Sequence, residues 1–120
     1  MAGVFDKMAT GIPGLDRLLE GGIVRGNSLL IEGPPGSGKT TFGVRAIAEG
    51  VMRYDEPGLI ISFEEFPKQI YEEAMGHGID LAELERSGKL RVIWTPPQRV
   101  LESFSGRNDL IDGIVRELGV

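Results

Sequence analysis

The hydrophobic positions of this chain fall into short continuous runs, separated by stretches in which they recur every three or four residues. The continuous runs predict strands over residues 27–32, 59–63 and 89–94. Runs that stay apolar at consecutive positions are typical of strands covered on both faces, as in parallel sheets. We therefore expect three buried parallel strands.

The stretches with helical spacing predict five helices. They begin at Leu15, Lys39, Pro67, Asp80 and Asn108 and end near Leu19, Val51, Met75, Gly88 and Leu118. Residues 95–107 begin with Thr-Pro-Pro and are predicted to form a polar loop.

Strands that alternate with helices in this way imply right-handed crossovers and a parallel sheet with helices on both faces. The predicted fold class is therefore α/β. Because the chain has only 120 residues, of which 41% are hydrophobic and 26% charged, we expect a single globular domain over residues 1–120.

Composition excludes several function classes. The net charge of -5, without a basic arm, disfavours direct binding of nucleic acid. The chain has no cysteine, which removes disulfides, thiol nucleophiles and Cys-based metal sites. Neither a secretory leader pattern nor an apolar run long enough to span a bilayer is present in the sequence. These features predict a cytoplasmic protein with no membrane partner.

A glycine-rich segment between the first predicted strand and the next helix carries the clearest chemistry. It reads Gly33, Pro34, Pro35, Gly36, Ser37, Gly38, Lys39, Thr40 and fits the P-loop pattern G-x-x-x-x-G-K-[ST]. The glycines let backbone N–H groups approach phosphate oxygens at a helix N-terminus. We expect Lys39 to contact the β and γ phosphates, Thr40 to offer its hydroxyl to Mg²⁺, and Thr41 to contact the α phosphate.

This segment predicts a bound nucleotide and a magnesium ion. It leaves the reaction open, because kinases, GTPases and motor ATPases share the pattern. The structural alternative is a glycine-rich turn that joins strand to helix, with Lys39 exposed to solvent.

Three stretches together carry a family resemblance. They are the lead-in TGIPGLD at residues 10–16, which continues into the P-loop, the strand end SFEE at 62–65, and the run from Lys68 to Trp94. Together they resemble the RecA-type ATPase core, and more closely its KaiC-like and RadA-like branch, from about Thr10 to the last helix. The resemblance implies a RecA-like fold, ATP hydrolysis, and a parent protein that forms a homo-oligomeric ring, typically a hexamer.

In that branch a glutamate pair carries the catalytic base, and Glu64 and Glu65 match its positions. The residues alone point the same way, since the carboxyl ends of parallel strands open onto the crevice that holds the ligand. Hydrolysis needs a group that orients water and accepts its proton, and alternate strand residues face opposite ways. We therefore favour Glu65, with Glu64 as a helper. The alternative is that both carboxylates only stabilise the helix that begins near Pro67.

The core of this branch should also contain a second acidic motif, an apolar strand ending in Asp that holds the magnesium shell. The chain contains no such strand, so we expect it to be the N-terminal part of a longer domain, truncated before that strand. Two other functions stay open: a nucleotide-dependent binding or signalling module with little turnover, and a RadA-like DNA-recombination ATPase. The circadian-clock type of kinase activity is not carried over, because its phosphorylated positions have no match here.

Three further residues have less specific interpretations. His77 stands between two glycines and is predicted to end a helix rather than to serve as a base or ligand. Phe63 and Trp94 end predicted strands, and we expect both to pack in the core rather than to stack on an adenine.

Overall fold

The computed structural model describes residues 6–27, 29–34 and 36–119. The strands are β1 (Lys7–Met8), β2 (Ile23–Val24), β3 (Gly58–Ser62) and β4 (Leu90–Trp94). The helices are α1 (Leu15–Leu18), α2 (Lys39–Tyr54), α3 (Pro67–Gly76), α4 (Leu81–Arg86), α5 (Pro97–Phe104) and α6 (Leu110–Glu117). In these ranges no helix is long and apolar enough to cross a bilayer.

The predicted α/β class is confirmed by a parallel strand pair. β3 and β4 run parallel with Gly58 opposite Leu90 and Ser62 opposite Trp94, and the chain between them passes through α3 and α4. β4 alternates, with Leu90 and Val92 buried and Arg91 exposed. This strand therefore turns one face to the core, whereas we had expected both faces to be covered.

The core lies where α2 meets the parallel strands and the two following helices. Its buried members come from α2, α3, the turn between α3 and α4, the start of α4, and β4. They are Val44, Ala48, Val51, Ile70, Ala74, Ile79, Leu81, Leu90 and Val92. Burying one large apolar side chain contributes roughly 1.5–3 kcal/mol. The shared burial fixes α2 against β3 and α3, so the first turn of α2 has a defined position relative to both.

Gly58 shows how closely α2 approaches β3. A Cβ atom at this position would lie 2.7 Å from Ile47 Cγ2 and 3.2 Å from Val51 Cγ2. Any larger residue would push these elements apart, because packed interiors leave little room for an added methyl group.

The strand that we predicted over residues 27–32 is wrong for the part that the structure describes. Residues 29–34 form no strand, and Leu29 and Leu30 are 52% and 80% exposed. A strand requires a neighbour for its backbone hydrogen bonds, and none of the described strands pairs with this segment. Position 28 lies outside the described residues.

The polar loop predicted over residues 95–107 is also wrong, because α5 occupies most of it. Pro97 stands in the first turn of the helix, where its missing N–H group costs nothing. Val100 and Ser103 are buried on the inner face of α5. The proline pair therefore starts a helix instead of a loop.

The other predicted helices are confirmed. Asp80 caps α4 by accepting a hydrogen bond from the N–H group of Glu83 at 3.2 Å. Asn108 Oδ1 accepts one from the N–H group of Leu110 at 3.0 Å, at the start of α6. His77 follows the last residue of α3 as its C-cap, as predicted.

The lead-in before α1 is held by the carboxylate of Asp16. The buried hydroxyl of Thr10 donates to Asp16 Oδ1 at 2.6 Å, and the N–H groups of Thr10 and Gly11 donate to the two carboxylate oxygens at 2.9 and 3.0 Å. Burial by itself would raise the pKa of Asp16, but these bonds to the charged form outweigh it and hold the pKa below its usual value.

Substituting Asp16→Asn should destabilise the chain by about 1–3 kcal/mol, because an amide would turn donor hydrogens toward groups that are themselves donors. The lowered pKa also gives a pH signature. The stabilisation by Asp16 is present above the unfolded-state pKa of about 3.9 and is lost as pH falls through the lower folded-state value. Thermal midpoints measured from pH 6 down to about 2 should therefore fall less steeply for the variant. Parallel curves for the two proteins would contradict the assignment.

Candidate functional site

The site begins at the N-terminus of α2. Gly38 precedes the helix with φ +91° and ψ 14°, a left-handed conformation that favours glycine. Glycine has no side chain to cap the helix, and the first α-helical backbone bond runs from Phe42 N to the carbonyl of Gly38 at 2.9 Å. The N–H groups of the first turn therefore point out of the N-terminus of the helix, where they can bind an anion.

The glycine-rich loop before α2 closes on itself. The N–H group of Ser37 donates to the carbonyl of Pro34 at 3.2 Å, and Gly36 has φ +82°. A Cβ atom at Gly33 would lie 2.5 Å from Ser37 Oγ and 3.2 Å from Ser37 Cβ, so a larger residue here would require the Ser37 side chain to move. Such a cradle fits the phosphate-binding prediction. Pro35 lies outside the described residues.

Lys39, the first residue of α2, is exposed. Its Cγ atom lies 3.8 Å from the position that a Cβ atom would take at Gly33, so the aliphatic part of the side chain starts beside the loop. A flexible ammonium group in this place can reach an anion that is held by the loop.

The hydroxyl of Thr40 connects the loop to the predicted glutamate pair. It donates to Glu65 Oε1 at 2.9 Å across 25 positions of sequence. Ser62 Oγ in turn donates to the backbone carbonyl of Glu65 and fixes the turn after β3. Thr40, Glu64 and Glu65 all line one cleft of about 420 Å³ between α2 and β3.

The two glutamates differ in exposure, with Glu64 exposed and Glu65 half-buried. β3 ends at Ser62, one residue before the end that we predicted, so both glutamates lie in the following turn. The alternation of strand side chains therefore does not decide which carboxylate faces the loop. The hydrogen bond from Thr40 singles out Glu65 instead.

A second bond joins the first turn of α2 to α3. Thr41 Oγ1 donates to Glu73 Oε1 at 2.6 Å. We expected Thr41 to contact an α phosphate and expected no role for Glu73. No local pattern in the sequence singles out Glu73, because its contact with Thr41 spans 32 positions.

The side-chain oxygens of Thr40 and Glu65 suit a hard, oxygen-preferring cation. In the part of the chain that the structure describes, no cluster of three or more His, Cys, Asp or Glu side chains could hold a metal by itself. Thr40 and Glu65 instead offer a hydroxyl and a carboxylate beside the loop. Mg²⁺ typically binds one or two protein oxygens together with phosphates and water, so these residues suit it.

The aromatic residues at the strand ends do not pack in the core, contrary to our expectation. Phe63 and Trp94 are 45% and 43% exposed. Trp94 stands beside Phe66 with ring centroids 5.1 Å apart and an interplanar angle of 35°. β3 and β4 both end here, so the rings cover the strand ends without being enclosed by helices.

The chain is similar to known proteins over most of its length. A family model described as "ATPase: KaiC" matches residues 8–118. The chain belongs to the KaiC family of ATPases. The resemblance to the KaiC-like branch is thereby confirmed.

Individual proteins are similar to most of this chain. The circadian clock oscillator protein KaiC of Synechococcus elongatus is 38% identical over 104 residues, which cover 87% of this chain and 20% of that protein. The UPF0273 protein MJ1359 of Methanocaldococcus jannaschii is 41% identical over 87 residues, 72% of this chain and 36% of its own length. The crystal structure of the KaiC-like protein PH0186 from Pyrococcus horikoshii superposes with a TM-score of 0.78 at 31% identity, over 92% of this chain and 50% of that one.

The chain thus spans half or less of the length of these KaiC relatives. Membership in the family and the fold apply to the chain itself. The activities, ligands and assemblies of the relatives are properties of proteins longer than this chain, so for this chain they are proposals.

Removing the hydroxyl of Thr40 should weaken the link between α2 and the turn after β3. We expect Thr40→Val to lower the free energy of unfolding by about 0.5–1.5 kcal/mol without any ligand, because Glu65 loses a donor. Thr40→Ser keeps the hydroxyl and serves as the matched control. Urea unfolding measures both variants, and equal losses would show that the bond contributes nothing.

Proposed function

We propose that the chain binds Mg-ATP on residues 33–41 and forms part of an ATPase that hydrolyses it. The observation that carries the proposal is the hydrogen bond from Thr40 to Glu65. It brings together the last residue of the glycine-rich motif and the carboxylate that the family resemblance assigns to catalysis. Membership in an ATPase family supports the same function.

Each part of the loop has a task in this proposal. The N–H groups between Gly33 and Thr41 surround the phosphates, and Lys39 adds a positive charge to the β and γ phosphates. Thr40 would hold magnesium, which neutralises the charge that develops on the phosphates. The hydroxyl could do this without leaving Glu65, since a cation would use a lone pair of the oxygen while the hydroxyl still donates its proton to the carboxylate.

Glu65 then has one carboxylate oxygen on Thr40 and a second that can accept a proton from water. A carboxylate accepts several hydrogen bonds, so both roles are compatible. Glu64 lines the same cleft and can orient the water from another side. We therefore keep Glu65 as the base and Glu64 as its helper.

Assembly and location belong to the same proposal. We expect the longer protein to form a homo-oligomeric ring, typically a hexamer, in the cytoplasm, with ATP or ADP as its ligand. We propose no nucleic acid partner for this segment, because its net charge is -5. A binding or signalling module would bind the nucleotide with little hydrolysis. Measuring both nucleotide binding and phosphate release therefore separates this module from the ATPase.

Substituting Lys39→Ala should weaken nucleotide binding by at least about tenfold, because a charged contact to phosphate disappears. Titration calorimetry with Mg-ATP measures the loss. Lys68→Ala is the control, since Lys68 is 85% exposed on α3 and lies outside the loop. Unchanged binding by the Lys39 variant would contradict the phosphate site.

Substituting Glu65→Gln should leave Mg-ATP binding intact and reduce hydrolysis by about 10²–10⁴-fold, the usual contribution of a general base. Glu64→Gln should have a smaller effect. Phosphate release is measured under saturating Mg-ATP. If Glu65→Gln turns over at the wild-type rate, Glu65 is not the base. Binding without turnover by the wild type would instead favour the binding module.

A further inference from the structure

The hydrogen bond between Thr41 and Glu73 occupies a hydroxyl that the phosphate site would also use. Thr41 lies in the first turn of α2, and its Oγ1 atom donates to Glu73 Oε1 at 2.6 Å across 32 positions of sequence. Both side chains are partly buried, so solvent screens the bond only in part. The bond is a polar connection between α2 and α3 beside the apolar packing of Ala74.

A threonine hydroxyl has one proton to donate. An ionised carboxylate and a phosphate oxygen are both acceptors without a proton of their own. Thr41 can therefore donate to Glu73 or to a phosphate, but not to both at once. Thr40 differs from Thr41 in this respect, because its expected ligand is a cation that needs a lone pair and not the proton.

We propose that Glu73 is a positioning residue that competes with the nucleotide for the hydroxyl of Thr41. The inference rests on the proposed function, in which a phosphate lies beside the first turn of α2. When Thr41 turns to the phosphate, α3 loses a polar connection to α2. α3 begins at Pro67, two residues after Glu65. Binding of nucleotide is then linked to the position of the turn after β3 that carries Glu65.

The linkage acts in both directions, since a contact that nucleotide must break also lowers the affinity for nucleotide. Weakening the acceptor at position 73 should therefore tighten binding. Glutamine keeps the shape of glutamate but accepts a weaker, neutral hydrogen bond. Removing a negative charge near phosphates would also tighten binding, so the experiment must separate the two effects.

A double-mutant cycle makes this separation, with Mg-ADP as the probe and titration calorimetry as the measurement. We expect Glu73→Gln to tighten Mg-ADP binding about three- to tenfold, as for the release of one charged hydrogen bond. Thr41→Val has no hydroxyl to compete for. On that background the same substitution should change affinity by less than about twofold.

Glu72→Gln is the matched control for charge. It stands on the same helix with its side chain 67% exposed, 4.0 Å from Lys68, and it makes the same change in net charge. We expect it to change the affinity for Mg-ADP by less than about twofold. Glu73→Ala removes the acceptor entirely and should tighten binding at least as much as Glu73→Gln. Circular dichroism establishes that each variant is folded.

Equal gains from Glu73→Gln with and without the Thr41 hydroxyl would overturn the competition, because charge alone would explain them. Weaker binding by a folded Glu73→Gln variant would overturn it as well, since Glu73 would then support the site. A wild-type chain that binds neither Mg-ADP nor Mg-ATP would overturn the proposed function first and the competition with it. Tighter binding that depends on Thr41 supports both.

Discussion

The packing of α2 against β3 and α3 is the constraint on which the site depends. Val44, Ala48 and Val51 on one face of the helix are buried in the core. The close approach at Gly58 leaves no room for even a methyl group, so the distance between helix and strand is fixed. The first turn of the same helix carries the two threonines. The apolar burial of this helix thus decides which carboxylates the threonine hydroxyls meet.

These two contacts have different consequences although the threonines are neighbours. The bond to Glu65 leaves the Thr40 oxygen with lone pairs that the proposed cation could use, so this contact is compatible with the proposed site. The bond to Glu73 uses the only proton of Thr41, so this contact competes with the proposed phosphate contact. One helix turn therefore holds a preformed contact beside a competing one. This combination allows a loop to be ordered in advance without fixing the neighbouring helix permanently.

The local parts of the fold could be predicted from sequence. The helical spacing of α2, the cap at Asp80 and the turn at His77 depend on residues within a few positions of one another. The strand over residues 27–32 could not be judged in this way, because a strand forms only if a neighbour pairs with it. α5 was missed because a proline in a first helical turn looks the same in sequence as a proline that breaks one.

The candidate site, too, could be predicted from sequence only in part. The glycine-rich loop and the acidic pair were found from their residue types. That they would meet was expected from a parallel sheet, but the packing of α2 beside β3 is what brings Thr40 to Glu65. Glu73 could not have been assigned, since 32 residues and a helix–helix contact separate it from Thr41.

The exposed segment around Leu29 and Leu30 has a practical consequence for work in solution. These neighbouring apolar side chains are 52% and 80% exposed and form an exposed apolar surface. Among the described strands, β3 is paired only with β4, so one edge of β3 has no strand beside it. An exposed apolar surface and an open strand edge each favour self-association as the protein is concentrated. Protein concentration is therefore a variable to be controlled in any binding or unfolding measurement on this chain, and a dilution series separates self-association from the effects of ligand.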